Sequence, residues 1–174
     1  PQRLMDAAGR RRAIAEALSK AAGPVAASVL GERFGVSRQI VVGDIALLRA
    51  SGMDITATPR GYILGAGVGL GLRRTVACVH DTEGMERELN IMVSNGCTVL
   101  DVVIEHAVYG QLTGELHLRS LRDVQEFMRR SREHGGSPLS LLTGGIHTHT
   151  LLCPDNRSFE DCVRELKEAG ILLE

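Results

Sequence analysis

Two histidines separated by one residue stand near the C-terminal end of the chain, in the stretch GGIHTHTLL at 144–152. Two glycines precede the histidines and a proline follows the stretch, and the Ile, Thr and Leu residues around them favour a strand over 146–153. Alternate residues of a strand point to the same face, so we expect His147 and His149 to lie side by side. Two imidazoles held on one strand can bind a single metal ion.

Two further residues can complete such a site. His80 ends a predicted strand, RTVACVH, and Glu88 follows eight residues later on a predicted helix. Three imidazoles and one carboxylate form a suitable ligand set for a divalent transition ion such as nickel, zinc or iron. Cys78 and Cys153 fall on the same strand faces as the histidines, and we expect them to fill space beside the ligands, with a role as further ligands as the alternative.

The charge of the chain differs between its two halves. Residues 1–74 contain 11 Lys and Arg against 5 Asp and Glu, whereas residues 75–174 contain 9 against 16. A basic half joined to an acidic half predicts two domains with different partners, and the basic half is a candidate for binding a phosphate backbone. A glycine-rich segment at 65–71 is the predicted linker, which places the domains at 1–66 and 67–174.

The basic half has the pattern of a winged helix-turn-helix. Apolar spacing predicts helices over 9–21 and 25–34, and a short Gly-Val-Ser turn leads into a third helix over 37–52. A short hairpin follows over 55–64, with Pro-Arg-Gly at its tip. Two helices joined by a tight turn and followed by a basic hairpin are typical of this class of DNA-binding domain.

The third helix provides the candidate DNA contacts. Ser37 suits the N-cap, and Arg38 and Gln39 occupy the first turn, which enters the major groove in such domains. Arginine pairs with guanine and glutamine with adenine, each through two hydrogen bonds. Arg60 at the hairpin tip can reach phosphates or a minor groove, and Arg49 is a candidate phosphate contact.

The acidic half predicts an α+β fold in which helices pack on a mostly antiparallel sheet. The order is β-α-β-β-α-β-α, with a possible last strand in ILLE at the end of the chain. The two middle strands are expected to turn around 109–114. With 44% hydrophobic but only 3% aromatic residues, the core must consist mainly of aliphatic side chains.

Several classes of protein are excluded by composition. No run of 18 apolar residues occurs, so no membrane span is expected, and the start of the chain lacks the apolar region of a secretory signal. The four cysteines show no C-x-x-C spacing, which favours reduced thiols in a cytoplasmic protein.

Six motifs in the acidic half resemble the 3H domain, which is named for its three histidine-containing motifs. They are VHDTE at 79–83, EL at 88–89, VLDV at 99–102, EHAVYG at 105–110, SLRDV at 120–124 and PLSLLTGGIHTHT at 138–150. A winged helix-turn-helix followed by a 3H domain resembles the niacin-responsive transcriptional repressors of bacteria. The resemblance extends over residues 9–173.

The resemblance implies a DNA-binding repressor of genes for niacin uptake and NAD synthesis. It implies a homodimer on a palindromic operator, nicotinic acid or a related pyridine as effector, and a divalent metal bound by His80, Glu88, His147 and His149. We expect nicotinic acid to act as a co-repressor, because an excess of product should stop synthesis. His106, Tyr109 and His117, on the predicted hairpin, are weaker candidates for the effector pocket.

This chain departs from the family pattern at two positions. Ala107 replaces the proline of the usual HPVYG motif, which we expect to loosen the following turn. Gly43 replaces a polar residue in the third helix, where glycine lowers helix stability, so the operator sequence is left open.

Two other functions remain open at this point. In a metal-responsive regulator, the ion itself would be the signal. In a metallo-hydrolase, Asp81 or Glu83 would have to act as general base beside the metal, but no nucleophile motif accompanies them. We expect a regulator and not an enzyme.

Overall fold

The computed structural model describes residues 5–65, 71–135 and 138–174. Contacts divide the chain into two compact units, one on either side of residues 66–70. The predicted domain boundary and most of the predicted linker lie outside the described residues. No helix within the described ranges is long and apolar enough to cross a membrane.

The N-terminal unit contains three helices and a hairpin. The helices are α1 (Ala7–Lys20), α2 (Ala27–Phe34) and α3 (Arg38–Ala50), and the hairpin consists of β1 (Ile55–Thr58) and β2 (Gly61–Leu64). One aliphatic face of each helix enters a common core, whose fully buried members are Ile14, Leu30, Val41 and Ile45. The periodic apolar residues of the three short helices therefore pack into one core. Together with the hairpin, these helices form the predicted winged helix-turn-helix.

Polar caps define where these helices begin. The Asp6 carboxylate accepts from the Gly9 N–H at 2.7 Å, and the Ser37 hydroxyl accepts from the Ile40 N–H at 3.2 Å. Such caps satisfy backbone donors that have no partner inside the helix. Helix α2 ends at Gly35, whose φ of 65° is the left-handed conformation that glycine adopts readily.

The hairpin is attached to the start of α2 by backbone pairing. Val25 and Tyr62 exchange two backbone hydrogen bonds, of 3.0 and 2.8 Å. Gly61 permits this approach, because a Cβ atom there would lie 2.3 Å from the carbonyl carbon of Val25. Since Val25 takes part in this pairing, α2 begins at Ala27 and not at residue 25 as predicted.

A buried ion pair joins α1 to α3. The Asp44 carboxylate accepts from Arg10 Nε at 2.6 Å and from a second Arg10 nitrogen at 3.1 Å, and Arg11 lies 3.8 Å away. Asp44 is 3% exposed. Arginine pairs strongly with a carboxylate through two parallel hydrogen bonds, so Arg10 serves to fix α3 against α1.

The C-terminal unit has an antiparallel sheet of four strands in the order β3-β6-β4-β5. Helices α4, α5 and α6 contribute buried side chains to the same core as the strands, and a 3-10 turn precedes β6. The mostly antiparallel α+β fold is confirmed. The elements are β3 (Leu72–Val79), α4 (Gly84–Ser94), β4 (Thr98–His106), β5 (Gly110–Leu118), α5 (Leu121–Glu133), β6 (Ile146–Cys153) and α6 (Asn156–Glu168).

Two local predictions for this unit are wrong. The turn between β4 and β5 lies before Gly110, because His106 Nδ1 accepts from the Val108 and Tyr109 N–H groups and closes the chain early. Gly114 lies inside β5, opposite Val102. The end of the chain forms a single bridge between Leu172 and Cys78 and not a strand.

Two glycine-to-alanine substitutions are expected to have opposite effects on stability. Gly43 is exposed on α3, and an added Cβ would meet no atom within 4 Å, so Gly43→Ala should raise the free energy of unfolding by about 0.5–1 kcal/mol. Gly31 is the matched control within α2, where the Cβ would lie 2.7 Å from the Val36 carbonyl oxygen. Gly31→Ala should destabilise the unit by roughly 1–3 kcal/mol. Calorimetry of the full chain measures both, and a lower melting temperature for Gly43→Ala would contradict the first.

Candidate metal centre and nucleic-acid interface

Four residues from three elements meet at one buried point of the C-terminal unit. His80 follows the last residue of β3, Glu88 lies on α4, and His147 and His149 lie on β6. The two strands are neighbours, and α4 packs over the face to which both β6 histidines point. Glu88 is 0% exposed and the two β6 histidines are each 3% exposed. The four residues chosen as metal ligands are thus brought together.

The three imidazoles surround the carboxylate of Glu88. Oε2 lies 2.8 Å from His80 Nε2 and 2.9 Å from His147 Nε2, and Oε1 contacts His149 Nε2. The rings also pack against one another nearly edge to face, with His147 4.7 Å from His80 and 4.8 Å from His149 between ring centroids. All three Nε2 atoms therefore face a single anionic group.

Backbone carbonyls hold the opposite side of each ring. His147 Nδ1 lies 2.7 Å from the Gly145 oxygen, His149 Nδ1 lies 2.6 Å from the Asp101 oxygen, and His80 Nδ1 contacts the Asp81 oxygen. A carbonyl oxygen only accepts hydrogen bonds, so each Nδ1 must carry the proton. In the neutral ring, Nε2 is then left with a free lone pair.

This tautomer makes the cluster suited to a cation. Three neutral rings would direct lone pairs at an anion, whereas three protonated rings would bury three positive charges around one negative charge, and both arrangements are costly. Moreover, His80 Nε2 has no hydrogen-bond partner in the part of the chain that the structure describes, although it is close to Glu88. A divalent cation among the Nε2 atoms would remove the conflict, and carbonyl-anchored histidines are the usual arrangement around metals.

The electrostatics of the cluster favour the ionised form of Glu88. Burial by itself raises the pKa of this carboxyl, but contacts with His147, His149 and His80 outweigh it and hold the pKa well below the ordinary value. For His80, burial lowers the pKa, and the neighbouring Glu88 outweighs this effect and raises it. Glu88 is thus an anion that needs a nearby positive charge.

An irregular stretch of β4 positions His149. The pairing of β4 with β6 is interrupted between Val99 and Val103. In this interval the Asp101 carbonyl binds the ring of His149, and the Asp101 carboxylate accepts from the Thr150 N–H at 2.9 Å. The strand irregularity therefore frees backbone and side-chain groups that fix the histidine.

Two glycines allow the chain to close around His80. Gly145 has a φ of 92°, and a Cβ there would lie 2.3 Å from the His80 carbonyl oxygen. At Gly84 a Cβ would lie 2.7 Å from the Cβ of His80. Larger residues at either position would displace His80 from the cluster.

The two cysteines near the histidines have different surroundings. One ligand atom from each of Cys78, Glu88 and His147 lies within 4.8 Å of the others, and all three side chains are buried. Cys153 Sγ instead lies 3.0 Å from Cys97 Sγ. Cys78 therefore borders the cluster of Glu88 and the histidines, whereas Cys153 belongs to a separate pair of thiols with Cys97.

His147 is also among the lining residues of a cavity of about 490 Å³. The three weaker effector candidates are not among its lining residues. His106 and Tyr109 pack together at the β4–β5 turn, where Tyr109 is 74% exposed, and His117 is buried with its Nε2 2.9 Å from Glu115. The lining residues are Val103, Ile104, Glu105, Gln111, Thr143, Ile146, His147 and Thr148.

The candidate general bases of the hydrolase alternative serve as structural groups of a loop. Asp81 Oδ1 accepts from the Gly84 N–H at 3.0 Å at the start of α4, and Glu83 is the residue that directly precedes the helix. Both side chains are exposed, outside the buried cluster.

The candidate DNA contacts lie on α3 and the hairpin. Arg38 and Gln39 are exposed in the first turn of α3, directly after the Ser37 cap. Arg49 Nε donates to the Ile55 carbonyl at 2.8 Å, so it joins α3 to β1 while its side chain stays exposed. Arg60 lies in the turn between β1 and β2.

Sequence reasoning missed three residues that support these sites. Asp44 in α3 and Asp101 in β4 are polar residues at otherwise apolar positions, and this mismatch was the available signal. For Gly145, the only signal in the sequence was its position beside Gly144. Their roles depend on partners 34 to 65 residues away in the chain, Arg10 for Asp44, His149 for Asp101 and His80 for Gly145.

Comparison with known proteins agrees with this two-part architecture. A family model described as an HTH domain matches residues 10–63, and one described as a 3H domain matches residues 73–174. The chain is 41% identical over 165 residues to the probable transcription repressor NiaR of Thermotoga maritima, covering 95% of this chain and 94% of that protein. It is 37% identical over 169 residues to the transcription repressor NadR of Bacillus subtilis, with the same coverage.

These relatives decide between the classes of function left open by the residues. One is named a probable transcription repressor and the other a transcription repressor, and both align along almost their whole length with this chain, so the expectation of a regulator and not an enzyme is confirmed. The chain belongs to the family of transcription repressors in which a helix-turn-helix domain precedes a 3H domain, as its motifs indicated.

Proposed function

We propose that this protein represses genes of niacin uptake and NAD synthesis by binding their operators, and that a metal-containing C-terminal unit makes the repression responsive to nicotinic acid. The N-terminal unit supports DNA binding through its helix-turn-helix. The observation that carries the sensor part is the convergence of three Nε2 atoms on the buried Glu88 carboxylate. A ligand set of this kind has no evident role in DNA binding.

His80, Glu88, His147 and His149 are the proposed ligands of one divalent transition ion. Imidazole nitrogen suits nickel, zinc and iron, so the ligand set leaves the choice among them open. When bound, the ion would supply a positive charge and a coordination position for a pyridine nitrogen or a carboxylate. Nicotinic acid carries both groups.

The cavity beside His147 is the proposed effector site. Its lining combines aliphatic residues with Glu105, Gln111 and two threonines, and none of its described residues is a lysine or arginine. An anionic effector would therefore have to bind the ion directly, through its carboxylate or its pyridine nitrogen. Because His147 is among its lining residues, this cavity is a better candidate than the exposed turn at His106 and Tyr109 or the buried His117.

A homodimer on a palindromic operator is the proposed binding form. In such complexes, two recognition helices contact half-sites about one turn of DNA apart. The effector can change the affinity for DNA only by binding one dimer geometry more tightly than another. We propose that nicotinic acid favours the geometry that fits the operator.

Substitutions in the first turn of α3 test the DNA interface. Arg38→Ala or Gln39→Ala should remove about 1–3 kcal/mol of base recognition and weaken operator binding roughly 5- to 150-fold. Arg157→Ala is the matched control, because Arg157 is exposed on α6 in the other unit. Fluorescence anisotropy on operator and scrambled DNA measures the effect. Equal losses on both DNAs would assign these side chains to the phosphate backbone, and no loss would exclude them.

Metal binding is tested by neutralising the central carboxylate. Wild-type protein should bind one divalent ion per chain, and Glu88→Gln should weaken binding at least about tenfold, since it keeps the shape but removes the charge. His134→Ala is the control, because His134 is exposed at the end of α5. Calorimetric titration with nickel, zinc and iron(II) gives the affinities. Wild-type affinity in Glu88→Gln would show that the ion binds elsewhere.

The sensor is tested by titrating nicotinic acid at fixed metal and again without metal. Anisotropy on fragments upstream of niacin transport and NAD synthesis genes should show tighter binding with nicotinic acid only when metal is present. If affinity follows the metal and ignores nicotinic acid, the ion itself is the signal. The four side chains support this alternative, because Glu88, His147 and His149 are buried, the His80 side chain is 5% exposed, and together they can hold an ion without an effector.

A further inference from the structure

We propose that Cys78 is a sulfur ligand of the ion held by Glu88 and the three histidines, which makes the site selective for thiophilic metals. This inference rests on the proposed metal site and adds a fifth protein donor to it. The sequence alone favoured a space-filling role for this cysteine over a role as ligand.

The register of the sheet directs Cys78 into the cluster. Cys78 on β3 lies opposite His147 on β6, and Val76 lies opposite His149. Directly opposed residues of antiparallel strands point to the same face. Cys78 and His147 are both buried beneath α4, which carries Glu88.

The distances bring the sulfur within reach of a shared ion. The ligand atoms of Cys78, Glu88 and His147 all lie within 4.8 Å of one another. Metal bonds of about 2.3 Å to sulfur and about 2.1 Å to nitrogen place two ligand atoms at most about 4.4 Å apart. The 4.8 Å limit for Cys78, Glu88 and His147 is close to this span.

Charge balance favours coordination once an ion is present. A thiol that coordinates a metal ion binds as the thiolate. The S–H bond breaks, its proton passes to the solvent, and sulfur donates an electron pair to the ion without any redox change.

The resulting buried group carries no net charge. A divalent ion, the Glu88 carboxylate and the Cys78 thiolate sum to zero among three neutral imidazoles. With Glu88 alone, one positive charge would stay uncompensated in a site that is almost closed to solvent. Thiolate also favours zinc and nickel over manganese and magnesium.

Cobalt(II) spectroscopy of the full chain tests this ligand. Wild-type protein loaded with cobalt should show visible d–d bands together with a near-ultraviolet sulfur-to-cobalt charge-transfer band. Cys78→Ser and Cys78→Ala should lose the charge-transfer band and keep the d–d bands. Either variant should lower zinc affinity at least about tenfold and change manganese affinity by less than about threefold.

Cys162→Ser is the matched control. Cys162 is fully buried like Cys78, but it lies on α6 and interacts with Cys97, in the thiol group that also contains Cys153. The control should keep the charge-transfer band. Loss of the band in Cys162→Ser, with retention in Cys78→Ser, would assign the sulfur ligand to that second group and overturn the proposal.

Two further results separate this inference from the proposed function. If wild-type protein shows d–d bands that disappear in Glu88→Gln but no charge-transfer band, the metal site stands and Cys78 is not a ligand. If the chain binds no cobalt, zinc or nickel, both the metal site and the sulfur ligand are overturned. Circular dichroism of each variant confirms that a lost band does not reflect unfolding.

Discussion

A fully buried carboxylate is the constraint around which the C-terminal unit is organised. Glu88 has no access to water, so the side chains around it must provide all of its polar partners. His80, His147 and His149 do so from two adjacent strands, and α4 must stay in one position over the sheet for the contacts to form. Aliphatic packing supplies most of the stabilisation of this unit, whereas the carboxylate determines which arrangement of helix and sheet is acceptable.

The anchoring of the histidines extends this constraint into the backbone. Each Nδ1 is bound to a carbonyl, which sets the tautomer and directs Nε2 inward. One of these carbonyls is available only because the pairing of β4 with β6 is irregular around Asp101. Another requires the positive φ of Gly145 and its close contact with His80. The strand irregularity at Asp101 and the positive φ of Gly145 thus help to position the histidines of the site.

The N-terminal unit depends on a similar but smaller interaction. Asp44 on α3 is buried, and Arg10 on α1 neutralises it with two hydrogen bonds. The pair fixes the helix that presents Arg38 and Gln39. Asp44 directly follows Gly43 in the sequence, but Asp44 is buried and Gly43 is exposed. The ion pair therefore holds the inner face of α3, and the outer face is accessible to solvent. One arginine of the N-terminal basic run thereby has a structural role.

The sequence by itself determined the classes of element and three histidines and one glutamate as a candidate ligand set. Periodicities of 3.6 and 2 are local properties, so the helices, the hairpin and the shared face of His147 and His149 followed from residues close together in the chain. His80 at a predicted strand end and Glu88 on a predicted helix were added as their partners, in agreement with the motif resemblance. Only the tertiary structure decided that Cys78 and not Cys153 borders the cluster, that Asp101 and Gly145 hold the rings, and that Arg10 binds Asp44. These roles depend on strand register and on contacts between residues far apart in the chain, which no local pattern encodes.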